Sequence, residues 1–149
     1  MIFSKKEITM TIDRLKHSYA VALKMQEIGK NLKLTEEQIK ELFILGFNHD
    51  IGYHFVKDNE SHNKIGGELL KQSNYKYWEE VYYHGEVDIN YSSLYLDILN
   101  LADMQIDKSG NDVGFDKRLL DIESRYGNES TVYKKCNALV KTLKSKYNY

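Results

Sequence analysis

The 149-residue chain contains no proline, although about 7 would be expected at roughly 5% usage. Proline breaks helices and marks loops and edge strands, so its absence points to a helix-rich chain. A single cysteine, Cys136, excludes an internal disulfide and any cysteine-based zinc site, and it suits a reducing compartment. No apolar run approaches the roughly 18 residues of a membrane span, and no signal-peptide pattern opens the chain. An excess of one charge is missing as well: 21 Lys+Arg stand against 22 Asp+Glu, a formal net charge of -1. Nothing in that balance advertises nucleic acid or an anionic membrane, and a cytoplasmic protein is expected. Internal repeats and Gly/Ser-rich linkers are also absent. One domain over residues 1–149 is therefore expected, large enough to bury about 65–70% of its unfolded surface.

What is present is helical periodicity. Ile8, Ile12, Leu15, Tyr19 and Ala22 recur at steps of three or four, with Val21, Met25 and Ile28 on the other side. A first helix apolar on two sides predicts a buried, central element that stops near Gly29. Thr35 and Gln38 form a capping box for a second helix, whose packed face would be Ile39, Leu42, Phe43, Gly46 and Phe47, with Gly52 as its stop. Ser61 can cap a short third helix with Ile65, Leu69 and Leu70 inward. Gly66 and Gly67 weaken that helix and so predict close packing or a bend. A fourth helix is expected from about Tyr75 to His84, and a fifth from Ser92 or Ser93 carrying Leu94, Ile98, Leu101 and Ala102. Residues 110–114 read as a loop, followed by helices near 115–126 and 131–146. No convincing alternating strand is visible. The predicted fold is all-α, with about seven helices.

Five histidines remain to be placed: His17, His49, His54, His62 and His84. His49 and Asp50 are adjacent at the end of an apolar helix, in Phe47-Asn48-His49-Asp50-Ile51-Gly52. Neighbouring helical side chains point about 100° apart, so an ion off the helix end can meet both. A buried carboxylate is costly unless paired, and a divalent cation is one such partner. Alone, the pair is more often a capping aspartate beside a core histidine than a metal site. Upstream, His17 lies in Arg14-Leu15-Lys16-His17-Ser18-Tyr19-Ala20-Val21. Downstream, Asp103 is an acid inside the apolar Leu99-Asn100-Leu101-Ala102-Asp103-Met104.

This order, His17 … His49-Asp50 … Asp103, resembles the HD superfamily of metal-dependent phosphohydrolases, over roughly residues 12–107, with C-terminal helices at 115–148. The flanking His-Ser-x-x-Val-Ala, His-Asp-Ile-Gly and Leu-Ala-Asp patterns agree with it. The usual motif continues with a lysine where this chain has Tyr53, so that lysine's role cannot be carried over. His62 and His84, between the doublet and Asp103, resemble the extra ligands of two-metal members. The resemblance implies one ion on His17, His49, Asp50 and Asp103, and a second on Asp50, His62 and His84. As surface histidines at helix ends, His62 and His84 would need no ion. The implied ions are divalent, Fe or Mn by the resemblance, while Zn, Ni or Mg fit such ligands too. Two such ions can clamp an in-line displacement and generate hydroxide near neutral pH.

The implied activity is hydrolysis of a phosphoester or phosphoanhydride of a nucleotide-like small molecule, dinucleoside polyphosphates among the candidates, by attack of a metal-bound hydroxide. Asp50 and His54 are the candidate catalytic residues, His54 as a proton donor to the leaving oxygen. Lys108, Arg118 and Arg125 are candidate phosphate contacts. Arg118 and Arg125 also have Asp121 and Glu123 at salt-bridge spacing. Tyr83, within the group Tyr75, Tyr77, Trp78, Tyr82, Tyr83, Tyr91 and Tyr95, is a candidate base-stacking residue, or else core. No membrane or nucleic-acid partner is expected, and the chain would be a monomer or homodimer. Two rival readings are a di-iron oxygenase of HD type, which uses the same ligand order with O₂, and a regulatory protein that binds metal without turnover.

Overall fold

A computed structural model describes residues 5–55 and 61–149, with side chains from residue 12 onward, so Ile8 lies outside the described side chains. Among the described residues seven α-helices run in chain order: α1 (Lys5–Asn31), α2 (Glu36–Asn48), α3 (His62–Gln72), α4 (Trp78–Tyr83), α5 (Leu94–Asp103), α6 (Gly114–Tyr126) and α7 (Thr131–Tyr147). A 3-10 turn, Ile51–His54, lies between α2 and α3. Among the described residues there is no strand, only an isolated bridge between Ile106 and Asp112. The all-α reading and the count of seven helices hold.

The local causes are mostly those expected. Thr35 caps α2 by accepting from the Gln38 amide, while the Gln38 side chain accepts from the Thr35 amide. Ser93 caps α5 through the Leu96 amide, and Ser130 caps α7 through the Tyr133 amide. Several details differ. α1 runs past Gly29 to Asn31, and Lys33 takes the left-handed turn at φ 62°. α2 ends at Asn48, short of Gly52. Ser61 makes no cap bond to α3; its hydroxyl bonds the Asn63 side chain instead. α4 is shorter than predicted, because Tyr75 and Tyr77 belong to the turn before it.

The core centres on α1, α2 and α5. Val21, Met25, Leu42, Leu45, Ile98, Leu99 and Ala102 are fully buried there, and Leu139, Val140 and Leu143 of α7 close it. Burying a side chain of this size stabilises by about 1.5–3 kcal/mol. Only one side of α1 is covered. Leu15 (46% exposed) and Tyr19 (51%) face outward beside Phe47 (40%). The α2 face is accordingly rotated: Leu45 replaces Phe47 in the core, and half-buried Phe43 stacks on Phe47 and meets Tyr19 edge-on. α3 packs through Asn63, Gly66 and Gly67, with Ile65, Leu69 and Leu70 only half-buried. A Cβ on Gly67 would lie 2.5 Å from Tyr82, and one on Gly66 3.0 Å from the Gly52 nitrogen. The two glycines thus serve close backbone packing, as predicted.

Candidate metal centre

Six side chains from five places in the chain converge at the centre of this bundle. His17 comes from α1, His49 and Asp50 from the end of α2, His62 from the start of α3, His84 from the residue after α4, and Asp103 from the last position of α5. All are drawn to helix ends except His17, which sits in the middle of α1. His17, His49 and His84 are at most 5% exposed.

Their hydrogen bonds fix their tautomers. His17 Nδ1 donates to the Asp107 carbonyl (2.8 Å), His49 Nδ1 to the Gly46 carbonyl (2.6 Å) and His84 Nδ1 to the Val81 carbonyl (2.6 Å). In each ring the Nδ1 carries the proton, so Nε2 points its lone pair inward, the arrangement that a metal-binding histidine needs. Those Nε2 atoms meet carboxylates. His17 Nε2 lies 2.9 Å from Asp103 Oδ1, and His49 Nε2 3.4 Å from the same oxygen.

Asp50 is divided between two groups. Its Oδ2 faces His17 (3.6 Å) and His49 (3.3 Å), while its Oδ1 faces His62 (3.3 Å) and His84 (3.5 Å). The donor atoms of His17, His49 and Asp50 lie within 4.8 Å of one another, as do those of Asp50, His62 and His84. The Nε2 of His49 is buried with no hydrogen-bond partner. Lone pairs on imidazoles and carboxylates cannot face one another without a positive charge between them or a proton on a ring. The donor set therefore fits divalent cations.

Protonation supplies that charge when no cation does. Burial pushes the His49 imidazole down, yet the adjacent Asp50 and Asp103 carboxylates outweigh it and hold its pKa well above the usual value. Burial pushes both acids up, and the facing histidines, His49 first, bring them well below the carboxylate range. His62 is held below its ordinary value, chiefly by burial.

Surrounding groups lock the second half. The buried Asn63 side chain donates to the Tyr82 carbonyl (2.9 Å), the His84 carbonyl (3.3 Å) and the Glu86 carboxylate (3.2 Å), tying α3 to the chain around His84. Asn100 accepts from the Gly85 amide at 2.8 Å, where Gly85 turns at φ 78°. Neither asparagine carries a sequence motif, so only the contact reveals them.

A cavity of about 620 Å³ opens over the cluster, a volume typical of small-molecule sites. His17, Asp50, His62, His84 and Asp103 form one end. Arg14, Lys108, Arg118, Arg125 and Lys135 also line it, as do Ile122, Tyr126, Val132 and Cys136. Arg118 Nε donates to the Asp103 carbonyl at 3.3 Å, and its Nη1 is buried without a hydrogen-bond partner. Arg125 bonds Asp121 at 2.9 Å, the salt bridge its spacing allows, while still reaching the cavity wall. Two sequence candidates lie elsewhere. His54 lines an adjoining recess with Leu15, Phe47 and Phe55, which shares Arg14 and Asp50 with the large cavity. Tyr83 stacks on Tyr91 and is outside the cavity wall, whose aromatic members are Tyr53 and Tyr126. Tyr75, Tyr77 and Tyr95 pack on the core.

No match to this chain was found among curated proteins or among solved structures. A family model, that of the HD domain, matches residues 14–135, a stretch that begins three residues before His17 and takes in all six converging side chains. Among the described residues no helix is long and apolar enough to cross a membrane. Over most of its length, then, the chain belongs to the HD domain family, a superfamily of metal-dependent hydrolases.

Proposed function

We propose that the chain is a phosphohydrolase that cleaves a phosphoester or phosphoanhydride in a nucleotide-like substrate and uses two divalent ions. The division of Asp50 carries this reading: each of its oxygens faces a different pair of histidines, as a carboxylate shared by two ions would. His17, His49, Asp50 and Asp103 would hold one ion, and Asp50, His62 and His84 the other. Iron or manganese suits this mixture of imidazole and carboxylate, and zinc or nickel does as well. When bound, such a pair supplies Lewis acidity, neutralises phosphoryl charge and activates water near neutral pH.

The rest of the work falls to the protein. The backbone carbonyls of Gly46, Val81 and Asp107 hold three imidazoles in the ligating tautomer. Arg118, Lys108 and Arg125 give the cavity a cationic wall for phosphoryl oxygens. Ile122, Tyr126 and Val132 offer an apolar surface for the remainder of the substrate. His54 lies outside the large cavity, in the adjoining recess that Asp50 also lines, and these steps are assigned without it.

The test is to purify the protein without added metal, count its ions, and then assay Mn- and Fe-loaded samples with and without oxygen. Nucleotides, dinucleoside polyphosphates and cyclic dinucleotides form the panel. Metal-dependent release of a phosphorylated product, independent of oxygen, is expected. Oxygen uptake coupled to substrate oxidation, or full occupancy with no turnover, would overturn the reading.

A further inference from the structure

Tyr53 stands where the family motif usually has a lysine, and its ring is covered on both faces. Arg14 Cζ lies 3.5 Å from the ring centroid. The His62 ring stacks on it with centroids 4.0 Å apart and planes 14° from parallel. Two groups cannot share one face at these distances, so Tyr53 is sandwiched between a guanidinium and a proposed metal ligand. All three residues line the large cavity beside Asp50.

We infer that Arg14 grips a phosphoryl group of the substrate, and that Tyr53 is the platform positioning both Arg14 and His62. The inference rests on the phosphohydrolase reading above. Arg14 precedes His17 by three residues, so both rise from one face of α1 and the guanidinium is delivered beside the ligand cluster. Three other cavity cations are engaged: Arg125 with Asp121, Lys135 with Glu86, and Arg118 with the Asp103 carbonyl and, at 3.8 Å, Asp121; Lys108, like Arg14, faces no carboxylate among the described residues. For Arg14 no carboxylate among the described residues lies within 4.0 Å. A guanidinium held over an aromatic ring is restrained in position while N–H groups stay available to bond. Those groups match two phosphate oxygens at once. The positive charge missing from position 53 is thereby returned from a different helix.

The platform has a second duty. His62 is the most exposed of the four clustered histidines, with 29% of its side chain accessible. The Tyr53 ring confines its plane, so Nε2 keeps its aim at Asp50 Oδ1.

The experiment titrates Mn-loaded protein with inorganic phosphate by calorimetry, counts ions in the same samples, and measures KM and kcat on a phosphoester that the wild type hydrolyses. Arg14→Ala should weaken phosphate binding roughly 10- to 100-fold, the loss of a charged hydrogen-bonding partner, and raise KM more than it lowers kcat, with two ions retained. Arg14→Lys should recover part of the affinity, since it restores charge without the fork. Tyr53→Ala should weaken phosphate binding and reduce the ion count toward one, whereas Tyr53→Phe, which keeps the ring, should retain both ions. Phosphate affinity of Arg14→Ala within twofold of wild type overturns the role of Arg14, as does a wild type that binds no phosphate. Two ions and full phosphate affinity in Tyr53→Ala overturn the platform. If the wild type binds phosphate through Arg14 yet cleaves no phosphoester, the catalytic reading fails and this one stands.

Discussion

Gly52→Ala is the substitution that most directly couples the fold to the metal centre. Gly52 lies in the 3-10 turn just after Asp50 and is buried. A Cβ there would meet the His62 carbonyl oxygen at 1.8 Å, with the His62 carbon and the Gly66 nitrogen at 2.7 and 2.8 Å. Ordinary contact begins at 3.4 Å, so one backbone must retreat by about 1.6 Å in a close-packed interior. All three obstructing atoms are main chain, so no side-chain rotation relieves them. Overpacking of this kind typically costs about 1–3 kcal/mol, and rigid backbone on both sides puts the expected loss near the top, about 3 kcal/mol. For a chain of this size that lowers Tm by about 6–12 °C. The displaced group is the start of α3, and with it His62. Metal sites tolerate ligand shifts of only about 0.2 Å, so the ion on His62 and His84 should be lost first. Thermal melting and ion counting on the same sample test this. Gly127→Ala is the control: φ is 88° with nothing within 4 Å, so it should destabilise by about 1–3 kcal/mol and leave the ion count alone. A Gly52→Ala protein with an unchanged Tm and two bound ions would refute the reasoning.

Other expectations follow from the same geometry. His62→Ala and His84→Ala should each bring the metal content toward one ion per chain, while Asp50→Asn should deplete both, as elemental analysis would record. In the metal-free protein His49 has a raised pKa, so its pairing stabilises the fold below the unfolded histidine value and is lost as pH rises through the folded one. Metal uptake must displace that proton, so loading near neutral pH should release acid in a weakly buffered solution and weaken as pH falls; uptake with no pH dependence would contradict it. Leu45→Ala should cost about 2–5 kcal/mol in urea unfolding and Phe47→Ser less than about 1 kcal/mol, because Leu45 is fully buried and Phe47 is 40% exposed. Glu80→Ala removes the acceptor shared by the Tyr91 and Ser93 hydroxyls, a buried acid whose loss should lower stability by about 2–3 kcal/mol.

The legible parts of this molecule are those written in local chemistry. Thr35 and Gln38 mark the start of α2 because a capping box needs only four consecutive residues. Gly66 and Gly67 announce close packing because a helix interior gains nothing else from them. The order of histidines and aspartates singles out the six side chains that meet in space. Less legible is whatever depends on which neighbour covers a face. A period of 3.6 residues shows that Leu15 and Tyr19 share a side of α1, but not that solvent is on it. The same ambiguity put Phe47 in place of Leu45. Tyr53 was legible only as a missing lysine; the spacing of Arg14 to His17 was the available signal for what replaces it. Asn63 had none, since a buried amide bonding three groups about twenty residues away in and after α4 leaves no trace in its own neighbourhood.

The bonds from His17 to Asp103 and to the Asp107 carbonyl join residues 86 and 90 positions apart. The first ligand to be synthesised is thus completed by the last, and His49, Asp50, His62 and His84 all lie inside the loop they close. Closing so long a loop carries an entropic cost that local contacts do not repay, which places this junction late in folding. During translation the full ligand set cannot assemble until Asp103 has left the ribosome, nor His17 be oriented until Asp107 follows, by which point α1 to α5 are already available to enclose it. Ion loading is then a report that the whole ring has closed, and a chain halted before α5 would carry its histidines without the means to use them together.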